Sequence, residues 1–232
     1  MLVSHRKRFV YTKTMKTAGT SVEAYFERWC VPEGSFRLSH FRDESVTEAG
    51  IVGYRGPDPR GCRWYNHMPA AEIRRGVGER VWRDYFKFCV VRNPFERLVS
   101  AFHFHEKAGV AGADPGGRPV AVAPPREPGE VVRRFREWVR SGGTVPDLET
   151  YTIDGELCVD FVIRHENLLR DLEAVCRRID VPFEGETLPR LKAGFRPEGL
   201  ATADYYDRAT EILVLERFRF DFETFGYASP LA

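Results

Sequence analysis

The chain has 232 residues, 43% of them apolar and 13% aromatic, enough to bury a core, and it is most simply read as one domain, 1–232. Its 35 basic and 34 acidic side chains nearly cancel, so no overall positive field would hold nucleic acid nonspecifically, and any anion site must be local. No stretch approaches the ~20 apolar residues that span a bilayer, and the basic start His5, Arg6, Lys7, Arg8 leads straight into Phe9 and Val10 without a signal-peptide core, so a cytoplasmic protein is expected.

His5 is read as part of a frayed terminus. Within 8–14, the β-prone run Phe9, Val10, Tyr11, Thr12 predicts a strand, and Val22, Tyr25, Phe26 and Trp29 at i, i+3, i+4, i+7 predict a helix after it. The pattern returns at 86–91, an almost wholly apolar run typical of a buried strand. Asn93 follows as an N-cap and Pro94 as the first helical residue, with Phe95, Leu98, Val99 and Phe102 as the core face. The Gly/Pro-rich stretch 108–130 predicts a surface loop or lid. A helix over 130–140 carries Val131, Val132, Phe135, Trp138 and Val139. A third apolar run, 161–163, precedes a helix with Leu168, Leu169, Leu172, Val175, Cys176 and Ile179 on one face. A last helix is expected over 204–218, with Tyr205, Ala209, Ile212 and Leu213 inward. Strands alternating with helices imply an α/β fold with a mainly parallel central sheet flanked by helices. The five cysteines, Cys30, Cys62, Cys89, Cys158 and Cys176, are odd in number and lack CxxC spacing, which points to reduced thiols rather than a disulfide framework or zinc site.

Two strand-to-helix junctions carry the chemistry. The first, Lys13-Thr14-Met15-Lys16-Thr17-Ala18-Gly19-Thr20-Ser21, offers lysine, hydroxyls and small residues where backbone N–H groups and a helix dipole favour an anion. Ala18 and Gly19 allow close approach, and Thr17, Thr20 and Ser21 can donate hydrogen bonds. Lys16 precedes the glycine, which is not the order of a Walker A loop. The alternative is an ordinary helix start capped by Thr20 and Glu23 in T-x-x-E spacing. The second junction, Arg92-Asn93-Pro94-Phe95-Glu96-Arg97-Leu98-Val99-Ser100, sets an arginine at a strand end and a serine off the apolar helix face, a fork and a further donor for phosphate oxygens.

Together these junctions resemble those of the sulfotransferases that use 3′-phosphoadenosine 5′-phosphosulfate (PAPS), in the branch with many carbohydrate sulfotransferases. In that family a K-T-[AG]-[GS]-T-S loop holds the 5′-phosphosulfate and an R-[DN]-P-x-x-R-x-x-S segment holds the 3′-phosphate. The resemblance implies Lys16, Thr17, Ala18, Gly19, Thr20 and Ser21 for the first and Arg92 with Ser100 for the second. The close Asp221-Phe222-Glu223-Thr224-Phe225-Gly226-Tyr227 is similar to the family's D-F-x-x-F-G-Y ending, and the likeness runs from about 8 to 227. It implies a P-loop-like three-layer fold, PAPS as donor with PAP (the desulfated nucleotide) as product, no required metal, and a hydroxyl acceptor on a carbohydrate or a glycosylated or lipid-like metabolite.

Sulfuryl transfer asks for positive charge where the leaving phosphate gains electrons and a group to take the nucleophile's proton. Lys16 is the candidate for the first role, with Lys13 in reserve, and His67 for the second, in a segment similar to the family's G-H-x-x-x-x-x-[ILF] although Asn66 replaces the glycine. Lys192 and Arg196, in a basic stretch before the last helix, are candidates near the 3′-phosphate. His103, His105 and Glu106 form an H-x-H-E cluster, but residues i and i+2 of a helix face different ways, so no metal site is expected. Two other readings stay open: a small-molecule kinase with an atypical phosphate loop, and a PAP-binding relative without turnover.

Overall fold

The computed structural model describes residues 1–107, 127–189 and 199–231. Its elements run in chain order as β1 (Leu2–Ser4), β2 (Phe9–Tyr11), α1 (Gly19–Phe26), β3 (Ser45–Thr47), β4 (Gly50–Val52), α2 (Ala70–Val77), α3 (Glu79–Asp84), β5 (Phe86–Val91) and α4 (Pro94–Lys107), then α5 (Pro128–Arg140), β6 (Thr152–Ile153), β7 (Glu156–Leu157), β8 (Phe161–Arg164), α6 (Leu168–Arg178), α7 (Thr202–Tyr205), α8 (Arg208–Arg217) and α9 (Arg219–Phe225). They fall into two units, Met1–Val91 with Pro146–Lys192, and Arg92–Val145 with Ala193–Ala232.

The first unit is built on a six-stranded sheet in the order β3-β4-β1-β2-β5-β8. β2, β5 and β8 run parallel, the arrangement expected of strands joined through helices, while β1, β3 and β4 extend the sheet antiparallel. The sheet is therefore mixed. Alternation along the strands sorts the core onto two faces. Leu2, Phe9, Tyr11, Val52, Phe88 and Val90 meet Val22, Tyr25 and Phe26 of α1 and Leu172, Val175 and Cys176 of α6. Val3, Val10 and Ile51 face the other way, against Trp64, Met68, Ile73 and Trp82 from α2, α3 and the segment before them. Helices thus cover both faces of this sheet.

The frayed start expected from the basic residues does not exist. Met1 to Ser4 are fully buried, because the apolar pair Leu2 and Val3 fills the gap between β4 and β2, and His5 Nδ1 lies 2.9 Å from the Tyr85 hydroxyl.

The second unit consists of α4, α5, α7, α8 and α9 among the described residues. Phe95, Leu98, Val99 and Phe102 are buried along α4 as the spacing requires, and Asn93 caps it through Oδ1, which accepts from the Phe95 N–H at 3.0 Å. α5 starts at Pro128, two residues before the expected start; the rest of the expected 108–130 loop lies outside the described residues, apart from Glu127. The single helix expected over 204–218 is two. Tyr206 is extended and Asp207 opens α8 with a capping box, its Oδ1 accepting from Thr210 N–H at 2.9 Å while its own N–H donates to Thr210 Oγ1 at 3.0 Å. Restarting at Asp207 changes the helix phase, so the buried face is Thr210, Glu211 and Val214, and Ile212 is exposed. No helix among the described residues is long and apolar enough to cross a membrane.

Candidate active site

In the first unit, the loop between β2 and α1 is shaped by its backbone. Lys16 and Ala18 take left-handed conformations, φ 61° and 62°, on either side of Thr17, an alternation that turns successive N–H groups toward one side as in anion-binding nests. Ala18 is the N-cap of α1 and supplies no side-chain cap, so the N–H groups of the first turn depend on other acceptors. The T-x-x-E capping box is absent. Glu23 is instead drawn wholly into the interior, where Lys13 Nζ reaches it at 2.8 Å, the Met1 amine at 2.8 Å, Arg55 at 2.9 Å and Arg42 at 3.2 Å. Burial opposes the charge, but these cations outweigh it and hold the Glu23 carboxyl well below the usual range. Arg42 and Arg55 also pair with Glu27, one turn further along.

Four hydrogen bonds fasten the loop. The Thr14 hydroxyl donates to the Val90 carbonyl of β5, and because that hydrogen is spent, the Thr17 hydroxyl donates to Thr14 Oγ1 at 2.7 Å. Thr17, expected from the sequence to offer its hydroxyl to a ligand, is fully buried with that hydroxyl on Thr14, and its backbone N–H is a further donor. Met15 N–H donates to Asp147 Oδ2 at 2.8 Å, and Tyr11 Oη donates to the Gly19 carbonyl at 3.2 Å. Gly19 is required by space, since a Cβ there would come within 2.9 Å of the Thr14 carbonyl oxygen. Lys16 is half-buried, and the Thr20 hydroxyl has no partner among the described residues.

His67 is brought to this loop. Its Nδ1 lies 3.1 Å from the Lys13 carbonyl oxygen, and its backbone is left-handed at φ 57°. A carbonyl only accepts, so Nδ1 carries the hydrogen and Nε2 keeps its lone pair. Burial pushes the imidazole down to about 3, aided by the Lys13 ammonium and the Met1 amine and opposed by Glu23, so the ring is neutral at physiological pH. Asn66 Oδ1 accepts from Lys13 Nζ at 3.0 Å. With its ammonium buried between Glu23 and Asn66, Lys13 is a support of the loop, and Lys16 is the more exposed of its two lysines.

In the second unit, Arg92 is half-buried and its Nη2 lies 3.0 Å from Glu96 Oε2, one turn into α4; Glu96 in turn holds the Thr202 hydroxyl. Ser100 is half-buried on the same helix, off its apolar face. Arg97 is almost wholly buried, 3.7 Å from Asp221 and 4.8 Å over the Phe218 ring, so the second arginine of the motif ties α4 to the closing D-F-x-x-F-G-Y segment. The H-x-H-E residues diverge: His103 Nε2 is 2.7 Å from the buried Tyr205 hydroxyl, and Glu106 pairs with Arg134 at 2.6 Å. Among the described residues no group of His, Cys, Asp and Glu is arranged to hold a metal. Lys192 and Arg196 lie outside the described residues.

A model described as "Sulfotransferase family" matches residues 1–228, nearly the whole chain. The chain belongs to the sulfotransferase family. This family comprises transferases that move sulfuryl groups onto hydroxyl-bearing acceptors. The sulfotransferase chain is also 29% identical over 122 residues to an uncharacterized protein of Archaeoglobus fulgidus, covering 50% of this chain and 86% of that one. No solved structure matches it.

Sequence reasoning from the motifs did not single out Asp147, Asn66, Glu23 or Asp221 for these roles. Asp147 lies 132 residues from its partner, and no local pattern marks it. Glu23 carried a signal, the T-x-x-E spacing, but its meaning is reversed by burial.

Proposed function

We propose that this sulfotransferase moves a sulfuryl group from PAPS to an acceptor hydroxyl on a carbohydrate or a glycosylated or lipid-like metabolite. In this reading the fold is P-loop-like, the protein is cytoplasmic, and no metal takes part. The loop 16–21 fits a phosphosulfate by its own construction: left-handed Lys16 and Ala18, a first helical turn without a side-chain cap, and a glycine that no other residue could replace without a clash. Arg92 and Ser100 serve the 3′-phosphate, with Lys192 and Arg196 as further contributors.

The single observation that carries the catalytic part is the state of His67. A ring with hydrogen on Nδ1 leaves its lone pair on Nε2, the atom that would accept a proton from the acceptor hydroxyl. Bound PAPS supplies the electrophilic sulfur and a good leaving group. His67 Nε2 takes the acceptor's hydroxyl proton as its oxygen bonds to sulfur, and Lys16 faces the negative charge gathering on the phosphate as the sulfur–oxygen bond breaks. Positioning by the loop backbone supplies the rest.

Calorimetry with PAP tests the donor. Tight binding is expected in the intact protein, weakened about 10- to 100-fold in Arg92→Ala, the cost of losing charged hydrogen bonds. Binding of ATP with magnesium and none of PAP would overturn the reading. Turnover of labelled PAPS with a panel of sugars, glycosides and hydroxylated lipids then assigns the acceptor; PAP binding with no turnover on any of them would leave a nucleotide-binding protein.

A further inference from the structure

Both ends of Lys13 hold the neighbouring pair Asn66 and His67. Its carbonyl oxygen faces His67 Nδ1 at 3.1 Å, and its ammonium lies 3.0 Å from Asn66 Oδ1 and 2.8 Å from Glu23 Oε2, with the side chain only 2% exposed. Charge balance alone does not call for a lysine here. Glu23 and Glu27 already receive Arg42 and Arg55, and Glu23 the Met1 amine as well. The neutral amide of Asn66 adds no compensation, but it does give the ammonium a fixed seat one residue from the imidazole. His67 itself sits in a left-handed conformation, which costs about 1 kcal/mol for a residue with a Cβ and persists only where neighbours over-determine it.

We propose that Lys13 and Asn66 form a positioning pair for His67, the Lys13 carbonyl selecting the Nδ1–H tautomer and the ammonium, seated on Asn66, locking the 66–67 backbone so that Nε2 keeps its lone pair for the acceptor hydroxyl. The last clause rests on His67 being the base of the reaction proposed above; the tautomer and its cause do not. The titratable groups that bear on the ring are the Lys13 ammonium and the Met1 amine, itself lowered by burial to about 6, which disfavour its protonation when charged, and the Glu23 carboxylate, which favours it.

Ring-labelled histidine read by long-range proton–nitrogen NMR tests this without nucleotide or acceptor. The intact protein should show Nδ1 protonated and Nε2 bare across neutral pH. In Asn66→Ala the Nδ1–H population should fall toward a mixture, and in Lys13→Met the titration midpoint of His67 should move up by about one pH unit or more as a nearby cation is lost. Asn66→Asp, which keeps an oxygen for the ammonium, should retain the tautomer. Turnover in Asn66→Ala should fall about 10- to 100-fold with PAP affinity within about threefold, a split that a general loss of structure would not produce. An Nε2–H tautomer in the intact protein would overturn the proposal, as would tautomer and midpoint both unchanged in Asn66→Ala and Lys13→Met. Should Lys13→Met fail to fold, the intact protein and Asn66→Ala decide the matter. A protein that shows the expected spectra but does not bind PAP would refute the sulfuryl-transfer reading alone.

Discussion

At Gly19 a single methyl group decides whether the first loop can close. A Cβ there would press on the Thr14 carbonyl, and backbone cannot swing aside as a flexible side chain can. Gly19→Ala is therefore expected to cost about 1–3 kcal/mol in chemical denaturation, and to weaken PAP binding more than the stability loss alone explains. His67, the base we propose, is the counterpart for turnover. His67→Ala should lower turnover about 100-fold or more while calorimetry finds PAP affinity nearly unchanged. A wild-type rate in that variant would remove the residue from the role. The residue types at 16–21, 67, 92 and 100 are visible in the chain itself, but which hydroxyls face inward is not. Thr17 looks like a donor on paper and becomes a strut because Thr14 has already given its hydrogen to Val90.

Elements were legible where their signals were local. Asn93 and Pro94 announce the start of α4 and the structure caps it through the predicted residue. The stretch 204–218 misled because its apolar residues fit one helical period, while the Asp207 and Thr210 box stops one helix and starts another at a new phase. Asp207→Ala should cost about 1 kcal/mol, read as a drop of about 2–4 °C in Tm. The buried pair Arg97 and Asp221 binds α4 to the first turn of α9 within the second unit. Removing one partner strands a charge, so Asp221→Ala is expected to cost about 3–5 kcal/mol, and the double replacement Arg97→Met with Asp221→Leu should recover most of it. If the double variant is as unstable as the single one, the pair is not what holds these helices.

Two buried titrating groups act in the same direction on the stability of the whole molecule. His67 in the folded chain takes up its proton only near pH 3, whereas in the unfolded chain it does so near its ordinary value of about 6.5. Unfolding is favoured as pH falls through that window. Glu23 stays ionised below the ordinary carboxylate range when folded, so its contribution, present at neutral pH, is also lost on acidification. Thermal unfolding should accordingly shift to lower temperature from pH 7 to pH 5, and His67→Gln should flatten that slope; an unchanged slope would show that the ring titrates normally. The chain passes between its two units after Val91, after Val145 and after Lys192, so neither is a continuous segment, and we propose that they unfold together as one domain, in a single calorimetric transition.

Taken by itself, the order of residues determined the α/β class, the two strand-to-helix junctions and the family, because hydrophobic period, caps and loop motifs are properties of neighbours along the chain. The tertiary structure alone decided that Leu2 and Val3 form an inner strand, that Glu23 is a buried anion rather than a cap, that Asp147 anchors the first loop, and that the Lys13 carbonyl faces His67 Nδ1. Those outcomes depend on burial and on partners tens of residues away, where desolvation and hydrogen-bond geometry, not local pattern, set the energy.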